Sequence, residues 1–166
     1  MLEAKHITSP TPYASCGDFQ RIFNEERDAL CRLSFLLTAD HEKAQQCFVS
    51  GLEDSVKGNP VFKEWARSWA RRTIIQNAVR LINPRPMEKD APSLFNSTGK
   101  TPATEQAEIG AVLDLAPFER FVFVMSALEH CSEHDCSILL GCSLRDVTAA
   151  LGRALQQIGS AMGSNF

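Results

Sequence analysis

Apolar residues recur every three or four positions along most of the chain, which is the spacing of helices rather than strands. In the first such segment, polar residues at 24–28 separate two apolar groups, made of Phe19, Ile22, Phe23, Leu30, Leu33 and Leu37. We therefore predict one amphipathic helix that begins at Asp18. The residues before it, 1–17, contain two prolines and a glycine without periodicity, so we expect a loosely held tail.

Two further helices are predicted in the first half of the chain. One covers residues 41–56 and ends at a glycine-then-proline stop. The other covers residues 61–82, VFKEWARSWARRTIIQNAVRLI, and is the most amphipathic segment. Its apolar stripe consists of Phe62, Trp65, Ala66, Trp69, Ala70, Thr73, Ile74, Asn77 and Leu81. Because both tryptophans fall on this stripe, we expect both in the core.

A row of cations accompanies this stripe. Lys63, Arg67 and Arg71 lie along one side of the helix, with Arg72, Gln76 and Arg80 nearby. Side chains of this kind suit contacts with the phosphates of a nucleic acid. A solvated basic face gives the same pattern, so both interpretations stay open at this point.

Residues 83–106 carry prolines, a glycine and several Ser and Thr, with few large apolar residues. A connection of this length without periodicity is uncommon inside a compact domain, so it predicts a linker. The predicted organisation is a tail (1–17), a helical domain (18–82), a flexible linker (83–106) and a second domain (107–166). The predicted fold class is all-α: two small helical domains joined by this linker, the second ending in a helix-turn-helix.

The second domain begins with a short helix to Leu115 and a helix from Pro117, and then shows the pattern of a helix-turn-helix at 132–155. Ser132 is the expected N-cap of its first helix, and Gly141 supplies the left-handed residue of the turn. Ser143 caps the second helix, whose apolar positions are Leu144, Val147, Leu151, Ala154 and Ile158. A helical hairpin inside any bundle shares this pattern, so DNA binding needs support from elsewhere.

Composition places the chain among globular proteins, since 44% of its residues are hydrophobic and 22% are charged. No segment approaches the roughly 20 apolar residues of a membrane span, and the N-terminus lacks a signal-peptide pattern. We therefore expect a cytoplasmic protein without a membrane partner. The absence of a Ser/His/Asp order, a glycine-rich phosphate loop or usefully spaced carboxylate pairs argues against an enzyme with a small-molecule substrate.

The six cysteines fall mostly on apolar helix positions and form no CxxC pair, which indicates reduced core thiols. One cluster allows a zinc site as the alternative: His130, Cys131, His134, Cys136 and Cys142. Because Cys136 is expected to point inward and His134 outward, core packing is the favoured interpretation, and neither a metal nor a cofactor is expected.

The net charge of −3 argues against a protein that coats nucleic acid non-specifically. Its distribution is uneven. Five cations oppose the single acid Glu64 in residues 60–82, whereas seven acids oppose three arginines from residue 107 onward. The two halves therefore have opposite charge.

Over residues 18–158 this arrangement resembles sigma factors of the extracytoplasmic-function class. DHEKAQQCFVSGL, from Asp40, resembles the helix of that family that docks on the polymerase clamp, and FKEWARSWARRTIIQNAVR, from Phe62, is similar to its promoter-melting helix. LAPFERFVFVMSALEHCSEHDCSILLGCSLRDVTAALGRAL, from Leu115, resembles its promoter-reading domain, including the turn glycine and the Arg153–Ala154 pair.

The resemblance implies a specificity subunit that docks on RNA polymerase core and opens promoter DNA, with an anti-sigma protein as a further candidate partner. Asp40, Glu42 and Gln46 would meet the polymerase. Trp65, Trp69, Arg71, Arg72, Gln76 and Arg80 would support or contact the minus-ten element, and Ser143, Arg145, Thr148 and Arg153 the minus-thirty-five element.

The chain departs from the family pattern in two places. Lys43 and Cys47 stand where clamp-binding acids are usual, and residues 148–150 replace a Lys-Ser-Arg-like run on the recognition helix, beside Asp146. Each missing phosphate contact lowers DNA affinity and its salt dependence. A sigma-like regulator or protein-interaction scaffold with weakened DNA binding is therefore the alternative function.

Overall fold

The computed structural model describes residues 11–86 and 104–163, and this part of the chain is all-α, as the sequence predicts. Eight α-helices follow one another in these residues: α1 Cys16–Glu25, α2 Arg27–Thr38, α3 His41–Lys57, α4 Ala66–Ile82, α5 Thr104–Leu113, α6 Pro117–Phe123, α7 Glu133–Leu140 and α8 Leu144–Gly163. A 3-10 turn, Lys63–Trp65, precedes α4, and a π-helical segment, Val124–Leu128, follows α6.

The first predicted helix is two helices. Ser15, not Asp18, is the N-cap of α1: its side chain accepts a hydrogen bond from the Asp18 N–H, while the Asp18 carboxylate accepts one from the Ser15 N–H at 2.8 Å. Asp18 is therefore the third helical residue of a capping box, and the helix begins two residues earlier than predicted. The chain then bends at Glu26 (φ −100°, ψ 19°), inside the polar run that has no apolar residue to hold it on the core.

The part of the predicted tail that the structure describes is attached to the rest of the chain. The Ala14 N–H donates to the Val61 carbonyl at 2.7 Å, and the Lys63 N–H donates to the Pro12 carbonyl at 3.0 Å. The Tyr13 ring stacks on Phe62 with 4.9 Å between ring centres. Residues 11–15 are thus attached to the segment before α4, and the remainder of the predicted tail lies outside the described residues.

Helices α3 and α4 pack closely because of Gly51. A Cβ atom built at this glycine would lie 2.8 Å from Cγ1 of Ile74, so only glycine permits the observed separation. The Thr73 hydroxyl lies 3.1 Å from the Gly51 carbonyl and 3.0 Å from the Ser55 hydroxyl. This contact fixes the position of α4, which carries the predicted basic row.

The hairpin in the second half follows the sequence prediction closely. The Ser132 hydroxyl accepts a hydrogen bond from the Asp135 N–H at 3.0 Å, and α7 ends at Gly141, whose φ of +63° is the left-handed value expected there. Cys136 is buried, and Val147 and Ala154 face the core from α8. Leu144 is the exception among the predicted apolar positions, since it is exposed.

The two halves contact each other through a buried arginine. Arg120 on α6 donates from Nε and Nη2 to the Leu37 carbonyl, at 3.3 and 3.2 Å, and from Nη1 to the Leu115 carbonyl at 3.2 Å. Buried apolar residues of both halves also form one continuous cluster.

Residues 87–103, most of the predicted linker, lie outside the described residues, so the linker and the domain boundary stay predictions. Among the described residues, every helix is too short or too polar to span a lipid bilayer.

Candidate nucleic-acid interface

Two arginines of the predicted basic row bind carboxylates of the chain itself. Arg67 donates to Glu25 at 2.7 Å and forms a second short ion pair with Glu26. Arg71 donates to both carboxylate oxygens of Glu129, at 3.0 and 2.9 Å, and to Glu26 at 3.3 Å. The sequence predicted these side chains pointing to an external partner, whereas in this arrangement they are paired internally.

The other members of the row differ in their surroundings. Arg80 donates to Asp54 at 3.1 Å, and the Asn77 amide donates to the same carboxylate oxygen at 2.8 Å. The Asn77 hydrogen bond is the main reason that the pKa of Asp54 lies below its ordinary value. Lys63 is exposed and Gln76 is half-buried. Arg72 is half-buried and has no hydrogen bond or ion pair within the described part of the chain.

The prediction that both tryptophans lie in the core is wrong for Trp65, which is 59% exposed. The reason is the 3-10 turn, since its three residues per turn shift Phe62 and Trp65 away from the stripe that α4 buries. Trp69 is half-buried and packs against the core cluster, although its indole N–H is shielded from solvent and has no acceptor among the described residues.

On the C-terminal hairpin, three of the four predicted DNA contacts are already hydrogen-bonded. Ser143 caps α8 by accepting from the Asp146 N–H at 3.1 Å. Thr148 donates to Glu133 at 2.6 Å, and Arg153 donates to Glu119 at 3.0 and 2.9 Å. Arg145 is exposed and has no hydrogen bond or ion pair within residues 11–86 and 104–163.

The predicted polymerase contacts lie at the start of α3. Asp40 is its N-cap and accepts a hydrogen bond from the Lys43 N–H at 3.0 Å, which is the main reason that the Asp40 pKa is lowered. Glu42 and Gln46 are exposed and, at positions i and i+4, lie on one face of the helix. The three side chains therefore share one accessible end of α3.

A cavity of about 700 Å³, which no sequence pattern predicted, lies between the two halves. One wall comes from the loop before α4 and from α4 itself, including Phe62, Trp65, Trp69 and Arg72. The opposite wall comes from residues 129–139, including Glu129, Asp135 and Leu139. The aromatic and basic residues near Trp65 are visible in the sequence and could have indicated the first wall. No local pattern indicates that this wall faces residues more than fifty positions away.

The cysteine cluster is not assembled into a site. Cys136 is fully buried, Cys131 and Cys142 are half-buried, and all six cysteines are free. Burial raises the pKa of Cys131 to about 11, so its thiol is protonated at neutral pH. No group of three or more His, Cys, Asp or Glu in the described residues is placed to hold a metal ion.

Comparison with solved structures identifies a similar fold. The chain resembles the sigma factor RpoE from Bartonella quintana, which was solved in complex with the anti-sigma factor NepR. The TM-score is 0.52 with 16% sequence identity, and the match covers 90% of this chain and 99% of that chain. No protein-family profile and no curated protein matches the sequence. At this identity the similarity establishes a shared fold.

Proposed function

We propose that this chain is a sigma-like transcription initiation factor, which brings RNA polymerase core to promoter DNA and assists its opening. The observation that carries this proposal is the fold shared with a sigma factor over 90% of the chain. The motifs from Asp40, Phe62 and Leu115 support it independently, because they occur in the family's order along the sequence. The proposal assigns the chain no catalysis of its own and a cytoplasmic location.

In this proposal, three surfaces of the chain each contact a different partner or promoter element. The exposed end of α3, with Asp40, Glu42 and Gln46, docks on the polymerase. The α4 row contacts the minus-ten element through Lys63, Arg67, Arg71, Arg72, Gln76 and Arg80. The hairpin contacts the minus-thirty-five element through Ser143, Arg145, Thr148 and Arg153. Cations and hydrogen-bond donors at these positions suit contacts with the phosphate oxygens of the DNA backbone.

The internal ion pairs imply a change of arrangement on promoter binding. Arg71 cannot bind a phosphate fully while Glu129 occupies its guanidinium, so DNA must replace this carboxylate. Arg67 is exposed, so solvent screens its ion pairs with Glu25 and Glu26, and a phosphate can displace both carboxylates at little cost. We therefore propose that the described arrangement is the resting form and that the halves separate when DNA binds.

An anti-sigma protein is a further proposed partner. The similar RpoE was solved with the anti-sigma factor NepR bound. Because the two folds are similar, we propose that an inhibitory protein also binds this chain. If it contacts both halves, it would hold them in the resting arrangement. Its binding would then compete with DNA for the surface of α4.

A sigma-like regulator that acts through protein contacts is the second candidate. The specific observation in its favour is that Thr148 and Arg153 are engaged by Glu133 and Glu119. Arg145 is therefore the one of the four hairpin residues that can bind DNA without first breaking an internal hydrogen bond. This candidate predicts protein partners together with weak and salt-sensitive DNA binding.

The deciding experiment is reconstitution with core RNA polymerase from the organism that encodes the chain. The full chain is expected to co-elute with core at about 0.15 M salt and to direct promoter-specific transcription. The double variant Glu42→Ala, Gln46→Ala is expected to lose the complex, whereas Glu53→Ala, farther along α3, serves as the matched control. A chain that forms no stable complex with core would refute the initiation-factor proposal and leave the regulator.

A further inference from the structure

We propose that the cavity between the two halves is a binding site for a small planar aromatic carboxylate. Its volume, about 700 Å³, lies inside the range of roughly 300–1,000 Å³ that is usual for small-molecule sites. Phe62, Trp65 and Trp69 provide three aromatic rings along one side, and Leu139 lies on the other. Rings of this kind favour a flat, apolar ligand body.

The negative charge of the proposed ligand is inferred from hydrogen-bond donors that have no acceptor among the described residues. Arg72 lines the cavity half-buried, with no hydrogen bond or ion pair in the described residues. The neighbouring acids accept hydrogen bonds from other groups: Glu129 accepts from Arg71, and Asp135 accepts from Ser132 at 2.6 Å. The Ser132 hydrogen bond is the main reason that the pKa of Asp135 is lowered, and the charge of Arg72 adds to this effect without a hydrogen bond or ion pair between the two side chains. The planar guanidinium of Arg72 is therefore available to form a paired contact with a carboxylate.

Trp69 supplies a second unused donor beside Arg72. The two residues are three apart on α4, so their side chains are neighbours on one helix face. The Trp69 indole N–H is buried without an acceptor, which is unfavourable for a polar group. Because the ring lines the cavity, we assign this N–H as the second donor to a carboxylate held by Arg72, which requires the indole to turn toward the ligand.

A ligand in this cavity would touch both halves, since Arg72 belongs to α4 and Leu139 to α7. It would therefore bind the described arrangement more tightly than a form with separated halves and would shift the population toward the former. This site does not depend on the proposed role in transcription, because its binding is measured on the chain alone.

The test uses the two tryptophans, which both line the cavity. The indole N–H signals of the ¹⁵N-labelled full chain are followed by NMR during titration with 2-naphthoate, with neutral 2-naphthamide as the comparison. Both indole signals are expected to shift and saturate with 2-naphthoate. Arg72→Gln should weaken binding about tenfold or more, because it removes a charged donor. Arg80→Gln, on the same helix but outside the cavity lining, should bind as the unmodified chain does.

Three results would overturn the proposal. The first is the absence of saturable shifts with 2-naphthoate, and the second is equal affinity for 2-naphthamide or for a correctly folded Arg72→Gln variant. The third is an oligothymidylate that shifts the same two signals where 2-naphthoate does not, which would assign the cavity to single-stranded nucleic acid. Spectra of each variant without probe establish that it is folded.

Discussion

One nitrogen of Arg71, Nη1, donates to both carboxylate oxygens of Glu129, at 3.0 and 2.9 Å, across 58 positions of sequence. The other terminal nitrogen reaches Glu26 at 3.3 Å. This guanidinium thus links α4 to the residue that precedes α2 and to the residue that follows the π-helical segment. The arginine predicted to contact DNA is also a contact between the two halves, so the same side chain cannot serve both roles at once.

Replacing Glu129 should therefore favour separation of the halves. In Glu129→Gln the charge partner of Arg71 is lost, and we expect a larger distance between donor and acceptor dyes placed on α3 and α8. Since a partly buried pair of this kind contributes on the order of 1 kcal/mol, the separated population should rise about fivefold. Single-molecule energy transfer measures this change directly.

The control for this variant is Glu25→Gln. Glu25 also binds an arginine of α4, but its partner Arg67 lies in the same half of the chain. The substitution removes a similar charge without touching the contact between halves. If Glu25→Gln changes the dye distance as much as Glu129→Gln does, general charge repulsion rather than the Arg71–Glu129 contact governs the arrangement.

Gly51 offers a test of the packing that positions α4. In Gly51→Ala the added methyl group would lie 2.8 Å from Cγ1 of Ile74, so α3 and α4 must move apart. We expect the free energy of unfolding to fall by about 1–3 kcal/mol, as for other overpacked cores, measured by urea denaturation. Gly152→Ala on α8 has nothing within 4 Å and should be stabilising by up to about 1 kcal/mol through helix propensity. Equal effects at both glycines would contradict the close approach.

Local sequence signals predicted the hairpin well because its determinants are local. Ser132, Gly141 and Ser143 act through hydrogen bonds and dihedral angles within a few residues, and all three have the predicted role in helix capping or the turn. The break at Glu26 was missed because the polar run around it is compatible both with one solvent-facing helix and with two shorter helices.

The candidate site was less predictable because its determinants are distant in sequence. Periodicity places Arg67 and Arg71 on a polar side of α4, but it does not show that acids at positions 26 and 129 face them. The exposure of Trp65 depends on a change of helix type, which the apolar spacing cannot distinguish from a regular α-helix. The cavity requires both halves, so only the tertiary arrangement reveals it.

Stability should fall in acid partly through Asp54. Its pKa lies below the ordinary value of 3.8, chiefly because the Asn77 amide donates to its carboxylate and also because Arg80 is close. A lowered folded-state pKa means that the stabilisation is fully present above the unfolded-state pKa and is lost as the pH falls through the folded-state pKa. We expect Asp54→Asn to show a weaker decline below about pH 4 in urea denaturation series. An unchanged pH profile would rule out this contribution.

The hairpin arginines provide the sharpest separation between DNA contact and structural support. Arg145 is exposed without a partner in the described residues, so Arg145→Ala should leave stability within about 0.5 kcal/mol while reducing the salt dependence of promoter binding by about one unit. Arg153 holds the buried Glu119, so Arg153→Ala should lower the free energy of unfolding by about 1–3 kcal/mol. Fluorescence anisotropy across a salt series and urea denaturation measure the two effects. If Arg145→Ala leaves the salt slope unchanged, α8 does not meet phosphate through its N-terminal turn, and the protein-contact function becomes the better explanation of this hairpin.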